Sequence, residues 1–140
     1  MKKPLRISIL IAVSFVLFTW WALESDGVAV IETTMPNGQT RSTHIWFAET
    51  NGDIWIEAGT PENTWYVDIQ QESTVLLATA ERSGRYIAET IPGEAAHLRV
   101  RSLLRKKYGI RDRWIDFIFD TSKSIAMRLV PKSSRNASND

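Results

Sequence analysis

The chain has 140 residues, a formal net charge of +1 and no cysteine. That length bounds it to one domain plus a short appendage. The lack of cysteine excludes disulfide frameworks, thiolate nucleophiles and cysteine metal sites. Lys2, Lys3 and Arg6 belong to the N-terminal leader, so the body is slightly acidic and offers no basic domain for nucleic acid.

Ile7–Leu23 contains no charge. Its seventeen residues would make a helix of roughly 26 Å at ~1.5 Å per residue, the short end of a membrane span. Trp20 and Trp21 stand at its exit, where amphipathic rings favour the headgroup layer. Basic residues precede it, and Glu24 and Asp26 follow. This bias predicts a signal-anchor over residues 1–23, single-pass, with the N-terminus cytoplasmic and the body outside. Cleavage as a signal peptide is the competing reading, but no small-x-small site is visible near Trp21–Ser25.

In the body, Val28–Thr33 and Thr40–Ala48 read as strands joined by a Pro36-Asn37-Gly38 turn. Asn51-Gly52-Asp53 is a hairpin signal, because Asn-Gly tolerates positive φ, and it leads into a strand over Ile54–Ala58. After a Gly59–Asn63 loop, Thr64–Gln71 reads as a short helix capped by Asn63, with Trp65 and Ile69 on one face. Thr74–Ala80 is nearly all apolar and reads as a central strand. Ser83-Gly84 turns the chain into a strand over Arg85–Ile91. Pro92-Gly93 breaks it, and Glu94–Tyr108 is the longest helix candidate, ended by Gly109. Arg111–Asp120 continues with Trp114, Phe117 and Phe119, and Ser124–Val130 is the last strand. Residues 132–140 are polar and predicted to be disordered. Residues 24–131 thus form one mainly β domain of about six strands with an α insert, a pattern that suggests a small antiparallel barrel.

Catalytic motifs are scarce. His44 and His97 are far apart in sequence, and neither has metal-ligand spacing, so no metal is expected. Glu57, Glu62 and Asp68 offer carboxylates that nothing separates from solvated charge. Arg41-Ser42-Thr43 places a guanidinium and two hydroxyls after a turn, which suits phosphate. Gly59-Thr60 after a strand could let backbone amides approach an anion. The basic run from Arg99 to Arg113 reads as the solvated face of an amphipathic helix.

The order of these motifs resembles the deazaflavin-dependent nitroreductase family. Thr33-Thr34, the Gly38 turn and Arg41-Ser42-Thr43-His44-Ile45-Trp46-Phe47 are similar to its opening strand pair. Ile54–Gly59 followed by Asn63–Ile69 is similar to its strand, glycine loop and aromatic helix. The resemblance covers about Val28–Val130. It implies the split β-barrel of FMN-binding, pyridoxamine-phosphate-oxidase-like proteins and a two-fold homodimer. It also implies FMN or a deazaflavin coenzyme that carries hydride to a small organic acceptor. By the same resemblance Arg41, Ser42 and Thr43 would hold phosphate, Gly59, Thr60 and Asn63 would line the loop, and Trp65 would sit beside the ring. The alternative reading is a membrane-tethered split barrel that binds a ligand or partner without redox turnover.

Overall fold

The computed structural model describes residues 3–24 and 27–132. The tail expected to be disordered lies outside the described residues, apart from Lys132. The elements run α1 (Lys3–Glu24), β1 (Val28–Thr34), β2 (Thr40–Thr50), β3 (Asp53–Ala58), α2 (Thr64–Gln71), β4 (Thr74–Ala78), β5 (Ser83–Thr90), α3 (Glu94–Tyr108), α4 (Ile110–Ile118) and β6 (Ile125–Pro131). The six strands close an antiparallel barrel in the order β1-β2-β3-β6-β5-β4.

Local chemistry sets the boundaries. Asn51 (φ 53°) and Gly52 (φ 83°) both take positive φ, as a tight two-residue hairpin between β2 and β3 requires. β4 stops two residues earlier than its apolar run suggests. There the Thr79 amide donates to the Arg82 carbonyl at 2.8 Å, and the Thr79 hydroxyl accepts from the Glu81 and Arg82 amides, closing a turn. Gly109 at φ 56° separates α3 from α4, so the expected continuation is a distinct helix that starts at Ile110.

Alternation on each strand sends one face inward. Ala29, Ile31, Ile45, Phe47, Ile56, Leu77, Met127 and Leu129 form the barrel core. α2 covers one end of it and adds Trp65, Tyr66 and Ile69 to that core. Outside, α3 lays Ala96, Val100, Leu104 and Tyr108 against Ala48, Trp55 and Ala126.

Two polar devices fix α3 to the barrel. The Tyr108 hydroxyl stands between Gly27 and Phe47, positions that would pair if the β1–β2 register continued past Val28. It donates to the Gly27 carbonyl at 2.6 Å and accepts from the Phe47 amide at 3.1 Å, so it replaces a missing ladder bond. Lys107 donates to the Phe47 carbonyl at 2.8 Å, with its ammonium over the Phe47 ring. The second device is ionic. Arg101 donates to Glu57 on β3 and to Asp112 on α4, both at 2.7 Å. Asp112 is fully buried, and it also accepts from Arg105 Nε at 3.0 Å.

α1 projects from this assembly. It is long and apolar enough to cross a membrane, and its C-terminal half packs on protein, against α4 and, at Leu23 and Glu24, against β2.

Asp112→Ala removes the fully buried carboxylate from Arg101 and leaves that guanidinium to Glu57, and should lower the unfolding free energy by about 3 kcal/mol in urea titrations of the full chain in mild detergent. A change near zero would mean that the pair does not hold α4. Burial of its ammonium pulls Lys107 down to about 8 from an ordinary 10.5. Below that value Lys107 is charged in both states, and its burial cost is fully present. Between about 8 and 10.5 the native chain sheds the proton first, the unfolded chain holds more protons, and stability rises with pH. Burial pushes Tyr108 up to about 12, so it acts only above its ordinary 10.0. Melting temperatures should therefore rise from pH 8 to 10 relative to Lys107→Met. Parallel pH profiles for the two proteins would contradict this.

Candidate functional site

Strand alternation divides the Arg41–Thr43 motif between two faces. Arg41 and Thr43 pair with Thr33 and Ile31 and share their inward face. Ser42, His44 and Trp46 occupy the outer face. Arg41 is committed to the fold: its Nε donates to Asp68 Oδ2 at 2.8 Å, and the Thr33 hydroxyl donates to the same oxygen at 2.9 Å. Asp68 is buried on α2, so this trio ties α2 to β1 and β2. A third of the Arg41 side chain still reaches solvent.

A cleft of about 310 Å³ opens on the outer face, where the end of α1, β2, β3 and the loop before α2 meet. Its lining includes Leu23 and Glu24 of α1, His44 and Trp46 of β2, the largely buried Glu57 of β3, the exposed Gly59, Asn63, and an edge of the buried Trp65. The volume sits at the lower end of small-molecule sites, which run from about 300 to 1,000 Å³.

The loop is built by Asn63. It occupies the N-cap position of α2, but its side chain makes no cap bond, contrary to the sequence expectation. Its Oδ1 instead accepts from the Thr60 amide at 3.0 Å and the Thr60 hydroxyl at 2.9 Å. The Asn63 backbone carbonyl receives the first helical amides, Tyr66 and Val67. Both Thr60 donors are thereby spent on loop shape. Gly59 faces open space, where a Cβ would meet nothing within 4 Å.

The charge in the cleft is largely balanced. Glu57 lies on Arg101 at 2.7 Å and accepts from the Ser124 hydroxyl at 3.0 Å, while Ser124 Oγ lies 3.1 Å from His97 Nδ1. Burial pushes the Glu57 carboxyl up from its ordinary value, and Arg101 and Ser124 pull against that rise. At the mouth, Glu24 meets His44 Nδ1 at 2.5 Å, and the Trp46 indole N–H reaches the Leu23 carbonyl at 3.4 Å. Among the described residues no group of His, Asp and Glu side chains could hold a metal ion.

Of the seven residues that the sequence singled out, Gly59, Asn63 and Trp65 line this cleft together. Thr60 braces them from behind. Ser42 shares the outer face of β2 with His44 but lies outside the lining, as do Arg41 and Thr43. His44, Trp46, Glu57 and Glu24 were not among the seven. The period-two alternation from Ser42 was the signal for the first two. Nothing local marked the others.

These groups suit a flat aromatic ligand better than a free phosphate. Trp46 and Trp65 supply aromatic walls, Gly59 leaves space, and Arg101 neutralises the one deep carboxylate. An anionic tail would have to reach past the lining, toward the outer-face hydroxyl of Ser42, because Arg41 is turned inward onto Asp68.

No family model matches the sequence, and no curated protein matches it. Solved structures do. The chain aligns with a conserved hypothetical protein of Mycobacterium tuberculosis (Rv2991) at 20% identity and TM-score 0.60, over 84% of this chain and 79% of that one. An F420 reductase aligns at 15% identity and TM-score 0.56, over 81% and 93%. A protein described as a domain-swapped dimer aligns at 16% identity and TM-score 0.59, over 89% and 98%. The barrel carried behind α1 therefore has the split-barrel fold of these solved structures, an F420 reductase among them.

Proposed function

We propose that this chain is a membrane-anchored split-barrel oxidoreductase that holds FMN or a deazaflavin coenzyme in the cleft between β2, the Gly59–Asn63 loop and the end of α1. The observation that carries this reading is the meeting of Gly59, Asn63 and Trp65 in one aromatic-walled cleft, in a fold shared with an F420 reductase. Trp46 and Trp65 flank the ring, and the phosphate lies beyond the lining toward the outer-face hydroxyl of Ser42, while Arg41, on the inner face, holds α2 through Asp68. Thr60 and Asn63 set the loop, and Thr43 acts from the inner face as support. The coenzyme supplies hydride chemistry to a small organic acceptor. The protein's work is to bind it, orient it and exclude water. A homodimer fits this reading, since a structural neighbour is a domain-swapped dimer.

Residues 1–23 act as the anchor, with the N-terminus cytoplasmic and the barrel domain, residues 24–131, outside. α1 supports this by length and apolarity, and Lys2, Lys3 and Arg6 set the direction.

A second reading has one observation of its own. Glu24 and Leu23 occupy the mouth of the cleft through His44 and Trp46. A barrel that has lost its coenzyme and binds a ligand or partner without turnover would have that arrangement too.

Titration of the full chain in lipid nanodiscs with FMN and with a deazaflavin, followed by coenzyme fluorescence, separates the two. The oxidoreductase reading predicts binding of one coenzyme at tens of micromolar or tighter. Gly59→Val, which fills open space in the cleft, should weaken it by at least about tenfold, or ~1.4 kcal/mol, without lowering the melting temperature. No binding of either coenzyme would leave the non-catalytic reading standing.

A further inference from the structure

α4 has two faces with opposite chemistry. Its polar side is spent inside the protein: Asp112 pairs with Arg101 and Arg105, and Asp116 accepts from Arg105 Nη2 at 2.8 Å. Its other side carries Ile110, Trp114 and Phe117, at the i, i+4, i+7 spacing that lines one helix face. Ile110 is 67% exposed and Phe117 81% exposed. Apolar groups so placed on a helix of a water-soluble domain would normally turn inward, yet the ion pairs hold them outward.

That face adjoins α1. The Trp114 ring lies 5.2 Å from Phe15 and 4.9 Å from Phe18, and its indole N–H donates to the Thr19 hydroxyl at 3.0 Å. Between the two helices runs an open cleft of about 740 Å³, apolar except for Ser14 and Arg113. The exposed side of α1 and the exposed side of α4 thus form one continuous apolar surface.

The level of contact fits a bilayer interface. With Trp20 and Trp21 at the headgroup layer, Phe18 and Phe15 lie three and six residues deeper. At ~1.5 Å per residue that is roughly 5 and 9 Å below Trp21. Helices that lie in the membrane plane bury their apolar face by a similar ~5–10 Å. Arg113 borders the same cleft, and its long side chain can carry its charge back to the headgroups.

We infer that α4 is an interfacial helix: its Ile110–Trp114–Phe117 face lies among phospholipid acyl chains, and the cleft it forms with α1 receives one such chain. This rests on the reading of α1 as a membrane span, not on the coenzyme. The ion pairs of Asp112 and Asp116 are then the braces that hold the barrel flat on the membrane.

The chain has no cysteine, so each introduced one is unique. Phe117→Cys, Ile110→Cys, Leu98→Cys on α3 and Val13→Cys on α1 are each labelled with a nitroxide, in the full chain in phosphatidylcholine nanodiscs. Collision with oxygen, which concentrates in acyl chains, is compared with collision with a water-soluble nickel chelate. The expected result is an oxygen-to-nickel ratio several-fold higher at positions 117 and 110 than at exposed position 98, and close to that at 13. A lipid signature at 13 with a water signature at 117 and 110 would overturn the interfacial helix and leave the anchor intact. A water signature at 13 as well would overturn the anchor reading itself. Shielding of 117 from both reagents, with dipolar broadening between labels, would show that a second copy covers the face and would equally overturn the proposal.

Discussion

Arg101 is the group on which the outer architecture depends. It is nearly buried, and it bridges Glu57 on β3 and Asp112 on α4 at 2.7 Å each. A guanidinium suits this place because its planar fork serves two carboxylates at once and cannot discard its proton. The bridge seats α3 and α4 on the barrel wall and balances the deep carboxylate of the cleft. It also fixes which side of α4 faces outward. A buried ion pair of this kind adds modest net stability, because desolvation offsets attraction. What it provides here is orientation.

The same arrangement links α1 to the cleft. α1 ends at the mouth of the cleft, where Glu24 meets His44, and its C-terminal half packs on Trp114 of α4. Position of the barrel relative to α1 and shape of the cleft are therefore set by one group of contacts. A coenzyme in the cleft would share its mouth with Leu23 and Glu24. A movement of α1 would then be felt at the site through a single hydrogen bond and one indole.

Much of the fold was legible because its signals are local. Asn51-Gly52 can form only a tight hairpin at low cost. Pro92-Gly93 and Gly109 break the chain at defined places, and the two helices between β3 and β4 and after β5 fall where the sequence put them. Long-range chemistry was less visible. Arg101, Glu57 and Asp112 lie on three different elements, and no spacing rule joins them. The Tyr108 hydroxyl that closes the gap between Gly27 and Phe47 has no local signal, because both partners lie far from α3 in sequence. Arg41 read as a ligand group because its sequence neighbours are hydroxyls. Its partner, Asp68, lies 27 positions away on the helix that caps the barrel. The resemblance pointed to the loop that lines the cleft, but it did not show that strand alternation sends Ser42 and Arg41 to opposite faces.

The central claim is that the cleft beside Trp46, Gly59 and Trp65 holds a flavin-type coenzyme. Nitrogen-15 NMR of the full chain in nanodiscs tests it most directly, because the chain has six tryptophan indole N–H groups to observe. On addition of the coenzyme that binds, the Trp46 and Trp65 indole signals and the Gly59 amide should shift together, while Trp55, buried under α3, stays in place. Saturating coenzyme that leaves Trp46, Gly59 and Trp65 unmoved would contradict the claim.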